Sequence, residues 1–285
     1  MSCSRHATDS PASCAPLPGS LNAFVSVPAG TFSGATGAFE RGARTGNPSE
    51  NQGQSIAAFE LLAHEVTNAQ FAAFVAATGY LTDAEQLEAD GMTPRGSAVF
   101  KHPEGSASPQ PWTLDRSASW RQPEGAGSTI AGREDHPVVH VSLRDAQAYA
   151  RWAGARLPTD LEWEYAARRG LPDELRATSG AYADDGRPRA NTWQGLFPLS
   201  NTAEDGFYAT APVGCFGPDR IGAVDLIGNV WEWTDSAVNA SQNQIKGGSF
   251  LCAANYCARY RPDSAQSQDR DFSTNHIGFR VVRSG

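Results

Sequence analysis

Arg156-Leu157-Pro158-Thr159-Asp160-Leu161-Glu162-Trp163-Glu164-Tyr165-Ala166-Ala167-Arg168-Arg169-Gly170 is the stretch from which the architecture can first be read. Pro158-Thr159 leads into a helix, and Thr159 with Glu162 has the spacing of a capping box, each side chain closing on the other's backbone N–H. Arg168 and Arg169 put positive charge at the negative end of the helix dipole, and Gly170 stops the helix. The predicted helix covers 160–169. Glu162 and Glu164 lie two apart and point to different faces, which argues against a paired acid/base site.

Two more helices can be read upstream. Over 67–78, Thr67 and Gln70 form another capping box, Phe71, Phe74 and Val75 make an apolar stripe, and Gly79 suits the stop. Over 143–153, Ser142 is the cap, Ala146, Tyr149 and Trp152 form the stripe, and Gly154 ends it. Predicted strands are short: 24–27, followed by the turn Pro28-Ala29-Gly30, then 138–141 and 279–282. Between them run the Gly-, Pro-, Ser-, Asn- and Asp-rich stretches 34–54, 88–132 and 171–223. These carry Trp112, Trp120 and Trp193, and leaving indoles in water is unfavourable by about 25 cal/mol per Å2. The stretches therefore read as packed coil. Helices on a few short strands with much coil make an α+β arrangement. One domain is expected over 21–285, after a Ser/Pro/Ala-rich tail over 1–20.

The 285 residues carry 23 basic and 31 acidic side chains, a net charge of −8. No basic run could track a phosphate backbone, so nucleic-acid binding is not expected. No stretch approaches the roughly 20 apolar residues that cross a bilayer, so no membrane partner is expected either. The N-terminus does not read as a signal peptide. A monomer is expected, cytoplasmic for a bacterial protein, or exported had a leader been removed.

Five cysteines, an odd number, do not make a disulfide framework. Cys3 and Cys14 could pair with each other or be incidental tail thiols. Cys215 reads as an isolated buried thiol. Cys252 and Cys257 lie five apart in Gly247-Gly248-Ser249-Phe250-Leu251-Cys252-Ala253-Ala254-Asn255-Tyr256-Cys257. Spacing alone leaves a disulfide, a metal site or an incidental pair. Structural zinc would want four ligands, whereas two thiolates suit a soft, low-coordinate ion such as Cu(I). His136 and His140 are four apart, but Pro137 between them argues against a helical metal pair and for structural roles.

Longer runs add to this. They are Val27-Pro28-Ala29-Gly30-Thr31-Phe32, Glu65-Val66-Thr67-Asn68-Ala69-Gln70-Phe71, Asp135-His136-Pro137-Val138-Val139-His140-Val141-Ser142, Gly228-Asn229-Val230-Trp231-Glu232-Trp233 and Gly278-Phe279-Arg280. More specific are Arg121-Gln122-Pro123-Glu124-Gly125, Asn191-Thr192-Trp193-Gln194-Gly195 running to Glu204-Asp205-Gly206-Phe207, and the cysteine run followed by Arg259-Tyr260-Arg261. With these marks the chain resembles the formylglycine-generating enzyme (sulfatase-modifying factor) family. The resemblance implies a single-domain variant of the C-type lectin fold with little regular secondary structure. It implies a copper- and O2-dependent oxidation of a cysteine in a Cys-X-Pro-X-Arg segment of a sulfatase to formylglycine. Cys252 and Cys257 would hold Cu(I), with Ser249 beside them and the substrate thiolate as a further ligand. Ser273, His276, Tyr256 and Trp231 would position substrate or oxygen.

The same resemblance implies structural Ca2+ at one or two places. Asn191, Thr192, Asp205 and Phe207 would form the first, and Asp225, Gly228, Val230 and Glu232 the second. Asx-turn hydrogen bonding is the plainer alternative. The related iron-dependent sulfoxide synthases use a histidine triad, and this chain has six histidines and no His-x-x-x-His-x-Glu. Departures from the pattern surround the cysteines. Ala253 stands where histidine is usual, Ala265 where arginine is usual, and Arg270-Asp271-Phe272-Ser273 replaces the usual Pro-Asp-Ser-Ser. No Tyr/Phe-Pro-Trp-Gly tetrad occurs at Ser179-Gly180-Ala181-Tyr182. The rival reading is a non-catalytic paralogue, or a lectin-like module with Cys252–Cys257 oxidised.

Overall fold

A computed structural model describes residues 14, 23–32, 53–101, 111–171, 180–257 and 260–285. Cys3, Ser179, Arg259 and nearly all of the expected tail lie outside these. In chain order the elements are β1 (Phe24–Val27), β2 (Gly30–Thr31), β3 (Ser55–Ile56), β4 (Phe59–Leu62), α1 (Asn68–Thr78), β5 (Ser97–Phe100), β6 (Trp112–Asp115), α2 (Leu143–Trp152), α3 (Asp160–Gly170), β7 (Trp231–Ala237), β8 (Gln242–Lys246), β9 (Ala265–Asp269), β10 (Ile277–Gly278) and β11 (Val282–Ser284). A three-stranded sheet runs β1-β4-β11 and a four-stranded sheet runs β10-β7-β8-β9, with two small hairpins, β2-β3 and β5-β6. Coil joins them over long stretches, the α+β arrangement expected.

The helices start where the capping chemistry puts them. Thr67, Ser142 and Thr159 each accept from the N3 amide, and Gln70, Asp145 and Glu162 reach back to the cap N–H. Phe71, Phe74 and Val75 are buried as expected. Trp152 is not: it is 44% exposed, while Leu143, Ala146, Tyr149 and Ala150 form the inner face of α2. Glu162 pairs with Arg156, and Glu164 is buried against Lys246 and Arg168, so the two glutamates do diverge.

Two strand expectations need correction. The segment 138–141 is extended but is not a strand. Val138 N–H donates to Val66 O and His140 N–H to Thr274 O, and a φ of 59° at His140 breaks the extended run. The segment 279–282 is not one strand but mostly the link between two, β10 (Ile277–Gly278) and β11 (Val282–Ser284). β10 pairs parallel with β7, and β11 pairs antiparallel with β4. The chain crosses from one sheet to the other between them, at Phe279-Arg280-Val281.

Three clusters fill the interior. One joins α1, α2, Trp120, Trp231, Trp233 and Phe279, with Cys252 and Tyr260 at its margin. A second packs Phe32, Phe59, Leu61 and Val282 on Trp163 of α3. A third, Phe100, Trp193, Phe250, Leu251 and Ala253, lies beneath the cysteine run. Trp120 and Trp193 are each 1% exposed, so the coil packs as their indoles require.

Cys14 is bonded to Cys215 across a sequence separation of 201. This overturns both the Cys3–Cys14 pairing and the buried free thiol at Cys215, which is only half-buried. Local spacing carries no information on a pairing so distant. Cross-links over long loops stabilise by about 2–4 kcal/mol in the chain-entropy view. Cys215→Ser is expected to lower Tm by roughly 5–10 °C, and a non-reducing peptide map should contain the joined Cys14 and Cys215 peptides. Recovery of both as alkylated thiols from unreduced protein would overturn the bridge.

Candidate active site

The cysteine run leaves β8 through Gly247 (φ 94°) and Gly248 (φ 76°). A Cβ on Gly248 would stand 2.9 Å from Tyr260 Cα, so only glycine lets the two segments approach. The chain then closes into tight turns. Leu251 N–H donates to Ser249 Oγ, Cys252 N–H to Ser249 O, and Cys257 N–H to Ala253 O. Trp193 N–H donates to Cys252 O, which fixes the run from the other side.

Both thiols come together. Their sulfurs are 3.3 Å apart, beyond the covalent distance of about 2.05 Å. Cys252 is 2% exposed and Cys257 lies nearer the surface. Burial pushes the Cys252 thiol well above its usual range, helped by the neighbouring Cys257 and opposed by Ser249. Ionising Cys252 there requires a compensating cation.

A cavity of about 350 Å3 opens over the pair. Ser249, Cys252, Cys257, Trp231, Tyr256 and His276 all line it, with Trp112, Phe197, Leu251, Gln266, Gln268, Phe272 and Thr274. Phe197 and Tyr256 are stacked at 4.5 Å, and Trp112 lies 5.0 Å from the His276 ring. His276 N–H donates to Thr274 Oγ1, and that hydroxyl bonds Nδ1. Burial holds this imidazole down to about 3. Ser273 is not a lining residue. Its Oγ bonds Ser97 Oγ at 2.7 Å, which in turn bonds His140 Nδ1 at 2.7 Å.

The first expected calcium group is also assembled. Asp205 accepts from Thr192 N–H and Gln194 Nε2 on one oxygen and from Phe207 N–H on the other. Asn191 gives its amide protons to Ala209 O and Asn229 Oδ1, and its Oδ1 is buried with no partner. In the second group Glu232 is committed to Arg280 and Trp163. Asp225 accepts from Gly214 N–H, and burial raises its carboxyl to about 6. Beside them stands Glu65, which the sequence did not single out as a site residue. It is buried, with both oxygens unpaired, and burial and the Asp225 charge push its carboxyl well up. A glutamate directly before the buried Val66 was the available signal. Among the described residues no cluster of three or more His, Cys, Asp or Glu has metal-site geometry.

The sequence profile of the Sulfatase-modifying factor enzyme 1-like domain matches residues 11–285. The chain is 46% identical to the formylglycine-generating enzyme of Streptomyces coelicolor, over 76% of this chain and 75% of that protein. It is 39% identical to that of Mus musculus, over 94% and 76% respectively. It is also 36% identical to the inactive C-alpha-formylglycine-generating enzyme 2 of Bos taurus, over 76% and 74%. Among solved structures, PvdO from Pseudomonas aeruginosa shares the fold, with a TM-score of 0.61 at 20% identity, covering 92% of this chain and 94% of that one.

His140 offers a pH test of the cavity's support. Its Nε2 bonds Pro123 O, and burial lowers its pKa from 6.5 to about 4. The unfolded chain therefore binds a proton first, and stability falls as pH drops from about 6.5 toward 4. Between pH 7 and pH 4.5 the wild type should lose about 2 kcal/mol more than His140→Asn, whose side chain tolerates the positive φ. Equal losses in urea titrations at the two pH values would contradict this.

Proposed function

The chain is an enzyme of the formylglycine-generating (sulfatase-modifying factor) family, and we propose that it oxidises a cysteine in a Cys-X-Pro-X-Arg-type segment of a sulfatase to formylglycine, using Cu(I) and O2. The observation that carries this is the pair of thiols, not joined as a disulfide, facing one cavity. Two sulfurs with no further His or carboxylate in the cluster fit a soft, low-coordinate ion and do not fit structural zinc. Cu(I) would supply the one-electron redox chemistry that couples thiolate oxidation to O2.

The chain's own groups do the rest. Burial keeps the Cys252 thiol protonated until a bound cation compensates the thiolate charge and its proton leaves to solvent. Ser249 holds the turn and hydrogen-bonds Cys252. Trp231, Phe197 and Tyr256 exclude water from the sulfur pair, and the extended substrate segment lies against them. His276, which lines the cavity, orients the segment through its imidazole. Ser273, bonded to Ser97 away from the cavity, has no contact with the substrate segment. O2 takes up the two electrons and two protons lost by the substrate CH2–SH, the resulting thioaldehyde takes up water, and hydrogen sulfide leaves as the aldehyde forms. A non-catalytic module of the same fold would have no use for both thiols at the cavity floor.

We further propose Ca2+ at both acidic groups. The orphaned Asn191 Oδ1, with Asp205 and the carbonyls of Thr192 and Phe207, would hold one ion. Asp225 and Glu232, with the carbonyls of Gly228 and Val230, would hold the other, next to the buried Glu65 carboxyl. Both are hard oxygen sets, as Ca2+ prefers, and would stabilise coil that lacks a hydrogen-bond ladder.

Protein loaded with Cu(I) and given such a peptide in air should convert it to the aldehyde, read by peptide mass. Cys252→Ser and Cys257→Ser should each lower the rate by at least about 100-fold. No copper uptake and no conversion would sink the oxidase reading. Separately, millimolar Ca2+ added to EGTA-treated protein should raise Tm by roughly 5 °C or more, and Glu65→Gln should lose part of that rise. A Tm indifferent to Ca2+ would remove the calcium proposal and leave the other intact.

A further inference from the structure

Trp120 Nε1 and Asn68 Oδ1 are buried polar atoms that find no hydrogen-bond partner among the described residues. One is a donor and the other an acceptor. Trp120 is 1% exposed and Asn68 4%. Both side chains line a single small cavity of about 20 Å3, walled otherwise by Pro123, Ile130, Val139 and Phe250 among others. Neither side chain can simply turn to find a partner. Asn68 Nδ2 donates to Arg133 O at 2.9 Å, and a carbonyl only accepts, so the amide nitrogen is the end that faces it. The Trp120 ring meets the edge of Phe71 at 5.2 Å and carries the Arg121 guanidinium 4.1 Å from its centre. Glu124 and Arg133, paired with each other, also line the cavity.

We propose that this cavity is a binding site for one structural water, which accepts from Trp120 Nε1 and donates to Asn68 Oδ1. A buried water takes about 10–15 Å3 of such a cavity. There is room for one, and a larger polar ligand would not fit. The chemistry selects as well: the indole N–H disfavours a cation, the amide oxygen disfavours an anion, and a water meets both. Leaving a buried donor or acceptor unmet costs about 5- to 150-fold in the folding equilibrium, and here there are two. The bridge ties the loop from Trp120 to Gly125 onto the first turn of α1. It lies behind the cysteine site. Phe250 stands two residues before Cys252, Asn275, another lining residue, precedes His276, and Pro123 O takes the His140 Nε2 hydrogen bond. The site is independent of the proposed oxidation and of either proposed metal.

A crystal structure of the whole protein should show one ordered water within about 3.2 Å of both Trp120 Nε1 and Asn68 Oδ1. Crystals held under xenon should take none up there, because xenon enters dry apolar cavities. In solution, urea titrations of Trp120→Phe, Asn68→Ala and the double variant read the coupling between the two side chains. The changes should be non-additive by at least about threefold in the folding equilibrium. Lack of that water, direct contact between the two atoms, xenon in the cavity, or additivity within about twofold would each overturn the proposal. Should Trp120→Phe not fold, the crystal and xenon results decide.

Discussion

Arg280 is a cation shut off from water, and the arrangement of both sheets hangs on it. Its Nε and Nη2 fork onto the two oxygens of Glu232, each at 2.7 Å, and Nη2 also donates to Val224 O at 3.0 Å. Nη1 reaches the carbonyls of Leu62 and Ala63 at the end of β4. Trp163 of α3 closes the group by donating to Glu232. A buried ion pair is expensive to form but more expensive to break, about 3–5 kcal/mol when one partner is removed. Because Arg280 sits where the chain crosses between sheets, the pair fixes their mutual placement as well as their stability. That placement puts Trp231, one residue from Glu232, at the wall of the cysteine cavity. Burial holds the Glu65 and Asp225 carboxyls up, helped by the carboxylates around them and opposed by Arg280.

The helices were legible because their determinants are local. A cap and its reciprocal partner sit three residues apart, and no tertiary contact is needed to see them. Apart from β1, read at 24–27 and found there, the strands were not. Gln242-Asn243-Gln244-Ile245-Lys246 is polar save for Ile245, yet it is the inner strand β8. Asn243 is buried because Thr234 and Arg270 satisfy its amide, and Lys246 because Glu164 lies 3.1 Å away. Such strands show no alternation, since pairing rather than apolar patterning decides which side chains go inside. His140 defeated the reading of 138–141 through one backbone dihedral, which residue type does not announce.

The site divides in the same way. Cys252 and Cys257 are close in sequence, and their surrounding words carried the reading. The residues that shape the space above them come from the hairpin at Trp112, the loop at Phe197, β9 and the segment to His276. Nothing in the order of the chain joins these, and only sheet register does. Within the segment from Arg270 to Ser273, Phe272 lines the cysteine cavity while Arg270 and Asp271 line a separate groove.

The Cys14–Cys215 bridge turns most of the chain into a closed ring with a tail. A ring cannot be drawn in single file through a narrow pore, because two strands must enter abreast. Any machine that handles this protein by threading, for transport or for degradation, therefore meets it as a loop once the bridge has formed. The order of events follows: threading precedes oxidation, or a reductant precedes threading.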